Sequence, residues 1–235
     1  MTGIDLGSRF VKIVTSSGTL IFSMVPTIEF YRNFDDFTAR FKGEKVRATG
    51  YGRYALDIPG AEVIPEIQAH VRGASRATGL TGFTLLDIGG QDTKVVRVKH
   101  GLPDDFLTND KCAASCGKFL ETASEALGIT LDQLLNSSGE AAPLSSTCAI
   151  FAESEIISLL AGRTPVAKIA SGVMLAMFQR IRPWIAAMLS HDIVLSGGIA
   201  NSPALSELIA SSFPGIRIHV PQRPEFLGAL GCIDG

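Results

Sequence analysis

A near-repeat constrains this chain more than any other feature. IDLGSRFVKIV stands at residues 4–14 and LDIGGQDTKVV at residues 86–96. Each unit is an apolar run ending in Asp, then a glycine-containing turn, then a β-branched run that carries a Lys at the same place. Such runs on either side of a glycine turn predict a strand–turn–strand hairpin. Two copies predict two related halves. The turn also has a physical use. Glycine lets backbone N–H groups approach phosphate oxygens closely, and an Asp at a strand end can hold Mg²⁺ directly or through water. One Asp-x-Gly hairpin is an ordinary sheet feature, but two facing each other across a cleft describe a phosphate site from both sides.

The remainder reads as mixed α/β. Extended runs are expected at 2–5, 10–15 and 20–25, a helix at 30–40, and a strand with its turn at 47–52. Helical spacing over 62–78 closes on Gly79, a C-cap residue. Strands follow at 83–88 and 93–99 around the turn 89–92. Beyond Asn109 helices are expected near 112–127, 131–135, 148–161, 167–189 and 201–210, with strands at 193–195 and 216–220. A third glycine turn, VLSGGIAN at 194–201, takes a strand into a helix. Gly197 and Gly198 would let a flat adenine or ribose lie against backbone; the alternative is an ordinary loop.

In order along the chain, the two Asp–Gly hairpins and the late Gly-Gly turn resemble the nucleotide cleft of the actin and sugar-kinase superfamily. That resemblance implies an actin-like ATPase (ribonuclease H-like) α/β fold. Two related domains, 1–81 and 82–235, would hold ATP or ADP with Mg²⁺ between them. Asp5 and Asp87 become the catalytic carboxylates that hold Mg²⁺ and its waters, and Gln91, beside Asp92, would orient the attacking water. Gly7, Ser8, Lys12, Gly89, Gly90, Gln91, Asp92 and Thr93 would surround the phosphates, and Gly197, Gly198 and Asn201 the adenosine. Lys12 and Lys94 are candidates for phosphate, with solvent-facing strand lysines as the alternative.

Composition excludes several classes. Of 235 residues, 46% are apolar and 19% charged, a globular balance with ample chain for a core. Lys and Arg total 21 against 23 Asp and Glu, a formal charge of −2, so no basic field marks a nucleic-acid partner. No apolar run approaches the roughly 20 residues that span a bilayer. The opening MTGIDLGSRF lacks a basic stretch followed by an apolar one, so no membrane partner and a cytoplasmic location are expected. Cys112, Cys116, Cys148 and Cys232 are the four cysteines. Reduced cytosolic thiols leave cluster or metal ligation, catalysis or plain burial for them.

The cysteine segments sharpen the resemblance. NDKCAASCGKFLE at 109–121 and TCAIFAESEII at 147–157 join DIGGQDTK at 87–94 and VLSGGIANSP at 194–203. Together they resemble the ATP-dependent activators of 2-hydroxyacyl-CoA dehydratases and the related ATPase subunits of benzoyl-CoA reductases. The likeness runs from the first hairpin to GALG at 228–231. It implies one [4Fe–4S] cluster per homodimer, held by Cys112 and Cys148 of each copy. Four thiolates suit such a cluster, and helix N-termini, where both cysteines are expected, favour an anionic group. Two thiolates per chain place the cluster on a twofold axis. The bland alternative is two buried structural thiols.

Cys116 departs from the family pattern, which is closer to AAGTG than to Ala113-Ala114-Ser115-Cys116-Gly117. If Cys112 opens a helix, Cys116 lies one turn further along the same face, as a third ligand or, the better fit, a small filler. Cys232 reads as a structural thiol, Glu153 and Glu155 as compensation for a helix dipole, and Trp184 as core. His70, His100, His191 and His219 show no ligand spacing and read as ordinary. The implied function is an ATP-hydrolysing one-electron donor. A ferredoxin or flavodoxin would feed it, and a partner iron–sulfur dehydratase or reductase would accept the electron. The rivals are a small-molecule kinase of the same superfamily, active without iron, and a non-enzymatic ATP-binding regulatory module with negligible turnover.

Overall fold

Both near-repeats fold as the hairpins that their sequences predict. The computed structural model describes residues 1–109, 113–145 and 149–233, so Cys112 and Cys148 lie outside the described residues. In the first half, β1 (Thr2–Leu6) turns into β2 (Phe10–Ser16), which pairs with β3 (Leu20–Pro26). After α1 (Thr27–Arg32) and α2 (Phe34–Ala39), β4 (Val46–Thr49) joins β1 in parallel on its other side. β5 (Glu62–Val63) extends the sheet, and α3 (Glu66–Thr78) ends on Gly79 at φ 74°, as expected of a C-cap glycine.

The second half repeats the plan. β6 (Phe83–Ile88), β7 (Thr93–Lys99) and β8 (Leu102–Asn109) form the antiparallel part. Helices α4 (Gly117–Leu127), α5 (Leu131–Leu135), α6 (Ala149–Ala161) and α7 (Val166–Ala187) follow. β9 (Asp192–Ser196) then pairs in parallel with β6. After α8 (Pro203–Ser212), β10 (Arg217–His219) joins β9, and α9 (Leu227–Gly231) closes the described fold. The sheets run β3-β2-β1-β4-β5 and β8-β7-β6-β9-β10, the same order with the same sense of pairing at each step. Register matches too, with Asp5 opposite Lys12 in one hairpin and Asp87 opposite Lys94 in the other.

Local chemistry explains where expectation and structure differ. The single helix expected at 30–40 is broken at Asn33, whose Nδ2 donates to the Glu29 carbonyl and whose backbone leaves the helical region (φ −118°, ψ 35°). Strand β8, which carries Pro103 and a pair of aspartates, was not among the expected elements. As an edge strand it tolerates them, and Pro103 sits where the register with β7 shifts. The helix expected from 112 begins instead at Gly117 after a short 3₁₀ turn at Ala113–Ser115. Cys116 is its extended N-cap residue (φ −132°, ψ 178°), so it does not sit one turn along a helix opened by Cys112. Trp184 is half-buried at the edge of the core around α7 rather than within it. Among the described residues no helix is long and apolar enough to cross a membrane.

The halves are joined by exchanged helices. α3, from the first half, packs against β6, β8 and β9, while α9 packs against β1, β2 and β4. Where the two helices cross, Gly73 and Gly231 leave no room for a side chain: a Cβ would overlap the Leu227 carbonyl at one position and the Ala69 carbonyl at the other. One apolar cluster therefore runs through both halves, with Val14, Val71 and Ala74 against Phe83, Leu85 and Val194.

Two tests follow from this packing. Helix propensity alone favours Ala over Gly by about 1 kcal/mol, whereas overpacking costs about 1–3 kcal/mol. Gly73→Ala is therefore expected to destabilise the protein in urea unfolding, and a gain would contradict the close crossing. At the sheet edge, Arg217 donates twice to Asp192 (2.8 and 2.7 Å) and His219 Nε2 lies 2.7 Å from it. The Arg217 bonds hold the Asp192 carboxyl down from 3.8 to about 2. A lowered folded value means stability present above the unfolded value and lost as pH falls through the folded one. Asp192→Asn should remove the part of the acid destabilisation lying between those two values, read as melting temperature against pH.

Candidate nucleotide site

The shared strand order brings the two Asp–Gly turns face to face. A Cβ on Gly90 would lie 2.5 Å from Arg9 Cγ and 3.1 Å from Ser8 Oγ, so the two turns touch at Gly90. Gly197, at φ 91°, fits against the end of β6: a Cβ would overlap the Ile88 carbonyl and come within 3.1 Å of Asp87 Oδ1. All three glycine turns thus open on one cleft of about 440 Å³. Asp5, Gly7, Ser8 and Lys12 line it from the first half. Asp87, Gly89, Gly90, Gln91 and Asp92 face them, with Gly197, Gly198 and Asn201 to one side.

Thr93, also expected beside the phosphates, does not line the cleft. Its backbone N–H donates to Asn109 Oδ1 (2.6 Å) and its hydroxyl to the Ser115 carbonyl (2.5 Å). It ties β7 to both ends of the segment that carries Cys112. Glu153 and Glu155 lie away from the cleft; Glu155 instead accepts from the Ser145 backbone at 2.9 Å.

The floor of the cleft is charged and buried. Asp5 and Asp87 are 2% and 3% exposed. The two lysines opposite them, equivalent by repeat, do different things. Lys12 reaches back to Asp5 (3.4 Å) and lines the cleft. Lys94, 6% exposed, is held by Asp92 (2.6 Å), Glu66 (2.9 Å) and Asp87 (3.7 Å). Burial would lower its pKa, but attraction to Asp87, Glu66 and Asp92 outweighs burial and raises it, so it stays a cation committed to carboxylates. Asp87 Oδ1, in contrast, is buried with no hydrogen-bond partner among the described residues. A buried carboxylate oxygen that makes no hydrogen bond and has only the His70 ring nitrogen nearby, at 3.4 Å, suits a hydrated cation at the mouth of two glycine turns.

Three features escaped sequence reading. His70 and Glu66, one turn apart on α3, both line the cleft, and His70 is 5% exposed between the two aspartates. Its Nδ1 is 3.4 Å from Asp87 Oδ1 and its Nε2 4.0 Å from Asp5 Oδ2. The signal was present: on α3 His70 stands among Ala69, Val71, Gly73 and Ala74, the buried residues of an amphipathic helix. Third, Arg9 crosses the cleft to Glu121 on α4 at 2.7 Å. The start of α4 is itself bound to the second turn, with Gly117 N–H donating to Gly89 O (2.9 Å) and Lys118 N–H to Gly90 O (2.8 Å). Two N–H groups that an isolated helix would leave unsatisfied are bonded here by the second glycine turn.

Among the described residues no three His, Cys, Asp or Glu side chains gather around a metal position. Cys116 and Cys232 are buried, and burial pushes the Cys232 thiol up to about 12, so it remains a neutral packing group.

Comparison with known proteins agrees with this geometry. Residues 38–233 match the BadF/BadG/BcrA/BcrD ATPase family. The activator of lactoyl-CoA dehydratase from Anaerotignum propionicum is 38% identical over 191 residues, 79% of this chain and 72% of that protein. The crystal structure of component A of the (R)-2-hydroxyglutaryl-CoA dehydratase of Acidaminococcus fermentans superposes with a TM-score of 0.87. That match has 30% identity over 99% of this chain and 95% of the other. The activator of 2-hydroxyisocaproyl-CoA dehydratase from Clostridium difficile, solved with bound ADPNP, also superposes at 0.87, with 29% identity over 99% and 92% of the two chains. The fold is thus the actin-like ATPase fold that the sequence resemblance implied.

The divergent lysines give a direct test. Lys94→Met removes the cation shared by buried Asp87 and the partly exposed Glu66 and Asp92 and should cost at most about 3–5 kcal/mol of stability. Lys12→Met, at the more open position, should cost well under half of that and appear chiefly as weaker ATP binding. Urea unfolding and nucleotide titration of both variants check the contrast.

Proposed function

The chain belongs to the BadF/BadG/BcrA/BcrD ATPase family, and from that premise we propose that it is the ATP-hydrolysing one-electron donor to an iron–sulfur 2-hydroxyacyl-CoA dehydratase or a related CoA-ester reductase. One observation carries the reading. The second phosphate turn and the start of α4 share two backbone hydrogen bonds, so the cleft and the helix that follows Cys112 are one bonded unit. What the cleft holds is then felt a few residues from that cysteine.

In this reading the domains are 1–81 and 82–235, and the nucleotide lies between them. Asp5 and Asp87 hold Mg²⁺ or its waters, with the bare Asp87 Oδ1 as the fitting group. The turn residues Gly7, Ser8, Gly89 and Gly90 cradle phosphate through backbone N–H groups, Lys12 adds a cation, and Gln91 and Asp92 orient the attacking water. Gly197, Gly198 and Asn201 take the adenosine. ATP and ADP make different contacts with the two turns, and such a difference is what a nucleotide switch requires.

Cys112 and Cys148 of two copies would hold a shared [4Fe–4S] cluster. α6 begins at the residue after Cys148 and packs against α4, the helix that follows Cys112. When bound, the cluster supplies a one-electron couple. Helix N-termini lower the cost of its negative charge. An upstream ferredoxin or flavodoxin would reload it after each transfer. Cys116, buried at the N-cap of α4, acts as a small packing residue.

Anaerobic purification followed by iron analysis, visible spectroscopy and solution mass tests the proposal. About two irons per chain in a dimer are expected, and Cys112→Ala or Cys148→Ala should abolish both iron and dimer. About four irons in a monomer would make Cys116 a ligand and overturn the shared cluster. No iron after reconstitution would overturn the electron-donor reading and return the protein to kinase chemistry.

A further inference from the structure

His70 is enclosed more specifically than a packing residue needs to be. Its Nδ1 lies 3.1 Å from Ser196 Oγ, whose own hydroxyl faces the Pro224 carbonyl at 3.5 Å. With the Ser196 hydroxyl donating to Pro224, the tautomer that fits carries its proton on Nδ1 and leaves Nε2 as an acceptor. Nε2 faces Asp5 Oδ2 at 4.0 Å, too far for a direct hydrogen bond and a poor neighbour for a second acceptor. Asp87 Oδ1, the orphaned oxygen, is 3.4 Å from the other side of the ring. α9 makes the space: a Cβ on Gly228 would come 2.7 Å from Nε2 and 3.0 Å from Asp5 Oδ2. Lys12 Nζ lies 3.4 Å from Asp5 Oδ2 and Nδ1 3.4 Å from Asp87 Oδ1, which leaves Nε2 as the ring nitrogen that faces the carboxylates without a hydrogen-bond donor. A water on a divalent cation carries two acidic hydrogens and satisfies that demand.

We propose that His70 is a positioning residue for the cleft's divalent cation, its Nε2 accepting a hydrogen bond from a cation-bound water while Ser196 fixes the ring. The inference rests on the Mg²⁺–nucleotide reading of the cleft and adds to it a residue outside all three glycine turns. Because α3 belongs to the first half and Ser196 to the second, the ring also registers one hairpin against the other. Groups that orient a cation's own ligands change metal affinity by about 10–100-fold when removed.

The test is ADP binding with the intact protein, measured by calorimetry in EDTA and across a MgCl₂ titration. For His70→Ala the half-saturating Mg²⁺ concentration should rise about tenfold or more, with ADP affinity in EDTA nearly unchanged. His70→Gln, whose amide reaches the Nε2 position, should recover much of the loss. His70→Asn, whose amide reaches only the Nδ1 position, should not. A purely structural role would weaken ADP binding equally with and without Mg²⁺, and that result overturns the inference. So does an unchanged Mg²⁺ dependence, or, should the Ala variant not fold, an equal dependence in the Gln and Asn variants. If the wild-type protein binds no ADP under either condition, the cleft reading itself falls, and His70 with it.

Discussion

Where α3 crosses α9, two backbones meet with no side chain between them, and the rest of the molecule is arranged around that contact. Gly73 sits against Leu227 and Gly231 against Ala69. The crossing lets each helix reach the other half's sheet, so the two sheets share a core rather than merely abutting. It also sets the separation of β1 and β6, whose ends carry Asp5 and Asp87.

Around that frame, buried charge is distributed unequally. Lys94 is saturated with carboxylates and behaves as a structural cation. Asp87 keeps one oxygen in reserve, and Lys12 lies in the cleft wall. Burying this many ionised groups is costly unless they are paired. The fold concentrates that cost at the floor of the cleft, where a Mg²⁺–nucleotide would complete the pairing. Thr93 and the Gly89 and Gly90 carbonyls carry the same region outward to α4, so binding in the cleft has a short covalent and hydrogen-bonded route to the cysteine segment.

The sequence was most legible where a short motif dictates its own geometry. The Asp–Gly hairpins, the Gly-Gly turn and the Gly79 cap are all local devices, and the repeat exposed the two-half plan. Most of the misses depend on partners distant in sequence. His70 looked ordinary because Asp5, Asp87 and Ser196 gather around it only after folding. Lys94 read as a phosphate candidate or a solvent-facing strand lysine because Glu66 arrives from another element. β8 hid its strand character behind Pro103, which an edge with a register shift tolerates, and Asn33 broke a helix by bonding to its own preceding turn. Thr93 shares the motif of the phosphate turn, yet its hydroxyl is used on Ser115.

The central claim is that the nucleotide cleft and the start of α4 move as one unit. Hydrogen–deuterium exchange at the Gly117 and Lys118 amides, with and without Mg²⁺ and a non-hydrolysable ATP analogue, tests it most directly. If the cleft holds the phosphate turn that accepts these two N–H groups, nucleotide should slow their exchange together with that of the Gly89–Gly90 turn. Protection of the turn with no change at 117 and 118 would contradict the coupling.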